Sequence, residues 1–228
     1  MKVYQGISGA IYEVADKRLG RGGEGSVHKI ENYPEHVAKI FKKNKRDSFR
    51  EEKLCKMVKC NVTERVFRFT TWPKDVLYDQ NGFAGYVMKQ VENTSSLSEL
   101  YSDDKYNLKT RIYAAYNLCA AIEEIHNMGQ VCGDLNPRNI CINLDRKDED
   151  AYKVTLVDTD SYHFITREKI YRCEVGLAEY LAPEIQKKIS GGMTLKNAPL
   201  PTFTRETDLF ALAVHVFCLL MNGSHPFA

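Results

Sequence analysis

The sequence predicts an α+β fold in two lobes, and three observations carry that prediction. The first ninety residues hold short strand-like runs broken by turn residues; from residue 97 onward helical periodicity dominates; the change falls within 89–96. Residues 1–91 are therefore expected to form a small antiparallel-sheet lobe with one main helix, and residues 92–228 a mainly helical lobe. The chain has 228 residues, 43% of them hydrophobic, enough to bury a sizeable core. Lys plus Arg number 32 against 30 Asp plus Glu, a balance that argues for neither nucleic acid nor a membrane surface as a partner of this domain. No apolar run reaches the length of a membrane span, and Glu13 and Asp16 come too early for a secretory signal core. The seven cysteines are odd in number, lack C-x-x-C spacing and mostly sit in apolar runs, so they are expected to be reduced, buried thiols of a cytoplasmic protein and not zinc ligands.

The expected strands are 11–19, 25–30, 36–41, 66–70, 75–79 and 83–89, with a helix near 46–58. Residues 109–129 read as a helix with Ile112, Tyr116, Cys119, Ile122 and Ile125 along one face and Gly129 as its stop. Residues 139–143 and 153–157 form a hairpin across the charged turn LDRKDED. Residues 208–221 are apolar almost all round, the pattern of a buried helix. The Gly-, Pro- and Thr-rich stretch 189–204 reads as an exposed loop.

Several motifs carry chemistry. Gly20, Gly22, Gly25 and Val27 fit G-x-G-x-x-G-x-V between two strands; such glycines let backbone amides approach phosphates, and the same pattern also suits a plain hairpin turn. Strand alternation puts Val37 and Lys39 on one face under that hairpin, where a Lys can reach a phosphate or can be a solvated edge residue. Glu51 heads the apolar positions Leu54, Cys55 and Val58 and can pair with Lys39, with Glu52 on the neighbouring face as its rival. Asp134 and Asn139 stand five apart in a turn: an Asp can take the proton of an attacking hydroxyl, and an Asn oxygen can ligate Mg²⁺. Asp158 closes the second hairpin strand as a further hard-oxygen ligand. Gly176 to Glu184 and Asp208, at the head of a helix, complete the series.

In this order and spacing the motifs resemble the eukaryotic-like protein kinase family over essentially the whole chain. The resemblance implies a bilobal kinase fold. It makes Gly20, Gly22, Gly25 and Val27 the glycine-rich loop, Lys39 the phosphate-binding Lys and Glu51 its helix partner. Met88 would be the gatekeeper, Lys89 to Val91 the adenine-binding hinge, with Val37 and Cys141 further nucleotide contacts. Asp134 would be the catalytic base, Asn139 and Asp158 the ligands of Mg²⁺, or of Mn²⁺ in its place, and ATP the cofactor. Ala182-Pro183-Glu184 would end the activation segment, and Asp208 would anchor the catalytic loop.

The chain departs from the family pattern in places. The catalytic loop reads Cys132-Gly133-Asp134, without the Arg that meets a phosphorylated activation segment, and the metal motif reads Asp158-Thr159-Asp160, without its Phe and Gly. Asn136 and Leu177 stand where Ser/Thr kinases place a Lys and a Thr that meet at the catalytic Asp; Arg138 is the residue expected to supply the missing positive charge. The late helices of the family's C-lobe are absent, which reads as truncation after HPFA. The wording GRGGEGSVHKI, WPKDVLYD, GDLNPRNI and VDTDSY resembles a bacterial subfamily that often carries a C-terminal helix-hairpin-helix region. Its genes cluster with a PP2C-type phosphatase and a von Willebrand factor A-type protein, which the resemblance offers as opposing enzyme and substrate. The implied function is Mg-ATP-dependent phosphorylation of Ser or Thr in a protein. The alternatives are a nucleotide-binding pseudokinase scaffold and a small-molecule phosphotransferase similar to aminoglycoside or choline kinases.

Overall fold

The computed structural model describes residues 1–92, 94–145, 151–200 and 202–227; most of the LDRKDED turn lies outside them. The chain divides into two compact units, Met1–Asn61 with Thr71–Val91, and Val62–Thr70 with Glu92–Ala228.

In the first unit, β1 (Lys2–Gly6), β2 (Ile11–Arg21), β3 (Gly25–Ile30), β4 (His36–Phe41), β5 (Asp75–Asp79) and β6 (Gly82–Lys89) close into a barrel in the order β1-β2-β3-β4-β6-β5. The closing strand, β1, has no counterpart among the expected strands. Its five residues alternate too briefly to signal a strand, and it is held by antiparallel pairing to β2 and β5. Asp75, buried at the start of β5, fastens this corner by accepting hydrogen bonds from Ser8 N at 3.2 Å, from the Ser8 hydroxyl, and from the Tyr12 hydroxyl at 2.8 Å. Tyr4, Tyr12, Val14, Ile30, Ala38, Leu77, Ala84 and Val87, drawn from all six strands, form one core cluster of the barrel.

Helix α1 (Ser48–Lys59) starts at Asp47, whose side chain accepts from Arg50 N, an N-cap that its short acceptor side chain favours. Its buried residues are Lys53, Leu54 and Met57, one position off the stripe expected from Leu54, Cys55 and Val58. The expected strand at 66–70 is instead the helix α2 (Glu64–Phe69). Its aromatic, β-branched composition suits a strand, but Thr63 caps Val66 N at 3.4 Å and the segment, itself part of the second unit, packs on that unit's long helix.

In the second unit β7 (Thr94–Ser96) pairs with β8 (Ile140–Asn143), which pairs with β9 (Val154–Leu156), the expected hairpin gaining a third strand. Between them run α3 (Leu97–Ser102) and α4 (Leu108–Asn127). The inward face of α4 is Ala114, Ala115, Leu118, Ala121, Ile122 and Ile125; the expected members Ile112, Tyr116 and Cys119 are exposed. Small alanines let α4 approach its neighbours, so the larger residues one position away lose that face. The short strands β10 (Phe164–Ile165) and β11 (Ile170–Tyr171) pair, and α5 (Pro183–Ser190) and α6 (Arg205–Leu220) follow. Helix α6 is buried on one side only: Leu209, Phe217 and Leu220 are exposed, against the expectation of burial all round. The cysteines likewise divide, with Cys132, Cys173 and Cys218 buried, Cys119 exposed and the others between; all seven are free thiols. Among the described residues no helix is long and apolar enough to cross a membrane.

Candidate active site

The first unit presents a cation beneath a glycine turn. β2 and β3 meet at the turn, where Gly22 N donates to Gly25 O at 2.9 Å. Gly25 is required by packing, because a Cβ there would lie 2.4 Å from Ile40 O of β4; at Gly20 and Gly22 a Cβ would meet open space. In register, Val27 sits opposite Lys39, and Lys39 opposite Tyr86. Val37 pairs with Met88, and His36 with Lys89, at the end of β6; Val91 is the last residue of this unit. Lys39 is buried at 7% exposure, its ammonium 5.5 Å from the Phe41 ring centroid and 5.8 Å from that of Tyr86. On α1, Glu51 Oε1 accepts the Tyr78 hydroxyl at 2.9 Å.

The second unit gathers the acidic residues. Asp208 lies in the first turn of α6, yet its carboxylate is turned outward from its own helix: Oδ2 accepts Cys132 N at 2.7 Å and Oδ1 accepts Gly133 N at 2.9 Å. His126 Nε2 meets Oδ2 at 3.0 Å, and Thr204 with Thr207 performs the capping that Asp208 leaves undone. This clamp sets the loop that carries Asp134. Asp134 Oδ1 accepts Asn136 Nδ2 at 2.9 Å, and Oδ2 accepts Asn139 Nδ2 at 3.1 Å. Burial pushes the Asp134 carboxyl above the ordinary carboxylate range and the charge of Asp158 adds to it, against the lowering effect of the two amides and of the Leu177 backbone N–H. Asp158 itself sits in the left-handed region, φ 60°, with its carbonyl accepting from Ser161 N and the Ser161 hydroxyl. Val157 N donates to Asn139 O, which ties this turn to the loop. Cys141 lies in β8 between Ser96 and Thr155. Arg138 is exposed and lines a groove with Pro137, Leu177, Glu179, Tyr180 and Phe210.

The chain matches the protein kinase domain family over residues 12–228. It belongs to that family. Escherichia coli K12 "Protein kinase YegI" is 27% identical over 226 residues, 93% of this chain and 32% of that protein. "MAP kinase-interacting serine/threonine-protein kinase 1" of Xenopus tropicalis is 22% identical over 241 residues, 100% of this chain and 54% of that protein. Among solved structures, "Crystal structure of Rad53 1-466 in complex with AMP-PNP" shares the fold with a TM-score of 0.62 at 21% identity, over 98% of this chain and 51% of that one. The kinase domain thus spans about a third of its bacterial relative and half of the others named.

The structure brings Asp134, Asn139 and Asp158 together as a cluster, and groups Val37, Lys39 and Met88 on one sheet. Sequence reasoning missed what replaces the absent Lys and Thr: the Asn136 amide and the Leu177 backbone N–H take their places on Asp134. An Asx residue at a turn is a common N-cap, and Asn136 does accept Arg138 N, which conceals its second role. It also missed His215, fully buried in α6, whose Nε2 meets Leu135 O at 2.9 Å while Nδ1 takes the Tyr101 hydroxyl and its ring stacks on Tyr180.

Proposed function

We propose that this chain is the catalytic domain of an ATP-dependent protein kinase that phosphorylates Ser or Thr hydroxyls. The observation that carries the reading is the Asp134 carboxylate, held by Asn136 and Asn139 beside the charge of Asp158. The substrate hydroxyl oxygen attacks the γ-phosphorus, the bond to the β–γ bridging oxygen breaks, ADP leaves, and the hydroxyl proton passes to Asp134. Two amide donors fix the direction of the accepting oxygens, and a raised pKa brings that base closer to working pH. Asp158 and Asn139 offer hard oxygen donors suited to Mg²⁺, and equally to Mn²⁺. Among the described residues no cluster of three or more His, Cys, Asp or Glu could hold a metal, so a cation there would take further ligands from phosphate and water. Such a cation, when bound, neutralises phosphate charge.

Lys39 is assigned to the phosphates under the loop of Gly20, Gly22, Gly25 and Val27, with Glu51, steadied by Tyr78, as its partner. Met88, Lys89 and Val91 would meet the adenine, with Val37, paired to Met88, beside them. Arg138, which lines the groove and is exposed, would add positive charge toward the transferring phosphate. A cytoplasmic setting, a von Willebrand factor A-type protein as substrate and a PP2C-type phosphatase as opposing enzyme complete the reading. The test is transfer of labelled γ-phosphate from Mg-ATP to the chain itself and to a basic acceptor protein. Asp134→Asn is expected to lower transfer by about 10²- to 10⁴-fold with ATP binding intact. ATP binding without any transfer by the parent chain would move the reading to a nucleotide-binding scaffold.

A further inference from the structure

The stretch 189–204, expected to be an exposed loop, is buried at Leu195, Ala198, Thr202 and Phe203. Leu195 and Phe203 share one core cluster with Val131, Cys173, Leu181 and Ile185, which joins this loop to Val131, just before the catalytic loop, and to the segment between Asp158 and Pro183. Arg172 lies within that segment, directly after β11. Its Nη1 donates to three backbone carbonyls of the loop: Ala198 O at 3.0 Å, Leu195 O at 3.4 Å, and Lys196 O. Three converging carbonyl oxygens repel one another unless a cation sits among them, and the guanidinium answers them with charge-assisted bonds from one of its amino groups. The outer ion pair, Glu174 to Lys196 at 3.4 Å, adds little because Lys196 is exposed.

The anchored residue leads straight to the chemistry. Cys173, next to Arg172, is fully buried against Gly133, where a Cβ would lie 2.8 Å from the Cys173 Cβ; Gly133 precedes Asp134. Gly133 also stands where the family carries the Arg that meets a phosphorylated segment, so the usual phosphate receptor is missing while a cation–carbonyl anchor is present.

We propose that Arg172 is a positioning residue which, by gathering the carbonyl oxygens of residues 195–198, holds the activation segment in its acceptor-binding conformation without phosphorylation. The inference rests on the kinase reading for the meaning of that segment. The cation that orders the segment is thus built into the segment itself, and its counter-charge comes from main-chain dipoles that no kinase or phosphatase can alter.

The test uses phosphatase-treated protein, its phosphate-free state verified by intact mass, and backbone hydrogen exchange at residues 164–175 and 191–200. The phosphate-free parent is expected to keep the exchange protection of the untreated protein and the same KM for a basic acceptor protein. Arg172→Ala is expected to speed exchange in both stretches at least tenfold. It should also raise the acceptor KM about tenfold and leave the KM for Mg-ATP within twofold. Arg172→Lys, which keeps a cation and three donors, is expected to recover most of that protection. Loss of protection on dephosphorylation alone, unchanged exchange in Arg172→Ala, or equal loosening of α4 and α6 would overturn the proposal. Exchange needs no turnover, so a parent that binds ATP yet transfers no phosphate would sink the kinase reading and leave the anchor itself decided by exchange.

Discussion

Asn136 donates its side-chain amide to Asp134 Oδ1 at 2.9 Å while its own oxygen accepts Arg138 N at 3.0 Å. One residue thus caps the turn Pro137–Asn139 and aims the candidate base. The amide favours the ionised carboxylate, against burial, which favours the neutral acid.

Removing that amide should be visible in the pH profile. Asn136→Ala and Asn136→Asp both lose the donor, and Asn136→Asp keeps an acceptor for Arg138 N. Each should lower kcat by about ten- to a hundredfold, in line with about 1.5–3 kcal/mol for a hydrogen bond to a charged group. Because the amide lowers the Asp134 pKa, its loss raises that pKa, and the acid limb of kcat should move to higher pH. A limb unmoved in both variants would assign Asn136 to the turn alone.

His215 predicts an acid sensitivity. Burial lowers its pKa from 6.5 to about 4, with the Leu135 carbonyl and the Tyr101 hydroxyl hydrogen-bonded to its ring, the Tyr180 ring stacked on it and the charge of His225 beyond. The unfolded chain binds a proton near pH 6.5 and the folded one does not until about pH 4. Stability from this residue is therefore complete above pH 7 and falls as pH drops through that window, by about 3 kcal/mol in all. Urea midpoints from pH 7.5 to 4 should show the decline in the parent chain and a flatter curve in His215→Gln.

The clamp at Asp208 should be worth more than a helix cap. Asp208→Ala strands the amides of Cys132 and Gly133 and removes the partner of His126, all within a buried site. The expected loss is about 3 kcal/mol or more, against about 1 kcal/mol for a lost N-cap. Chemical denaturation measures it directly.

The glycines of the first unit should separate by role. Gly25→Ala places a methyl 2.4 Å from Ile40 O and should cost about 2 kcal/mol by spreading β3 from β4. Gly22→Ala meets open space and should change stability by less than about 0.5 kcal/mol. If the loop covers phosphates, Gly22→Ala raises the KM for ATP all the same. Thermal unfolding followed through Trp72, the single tryptophan, buried in this unit, distinguishes the two.

Local chemistry was legible in the sequence because it is written in short, consecutive runs. Asp134 and Asn139 share one turn, Asp158 ends a strand that a charged turn sets antiparallel to its neighbour, and Val27 and Lys39 belong to consecutive strands, so counting residues places each of them. Asp208 was legible as an anchor through the family resemblance, although its position at a helix start fits a cap equally well.

What the sequence alone determined, then, is the two-lobe division, the helices at 48–59, 108–127 and 205–220, most strands of the first lobe and the identity of the acidic turn residues, since hydrogen-bond ladders and turn preferences act over a few residues. Partners distant in the chain were decided by tertiary structure. β1 closes the barrel through pairing across more than seventy residues, α2 takes helical form against α4 despite strand-like composition, and alanines rather than Ile112 and Tyr116 face inward because close helix approach selects small side chains. The carbonyls that receive Arg172 have no side-chain signature at all. Main-chain acceptors are the same at every position, and only the folded path of residues 195–198 turns three of them toward one cation.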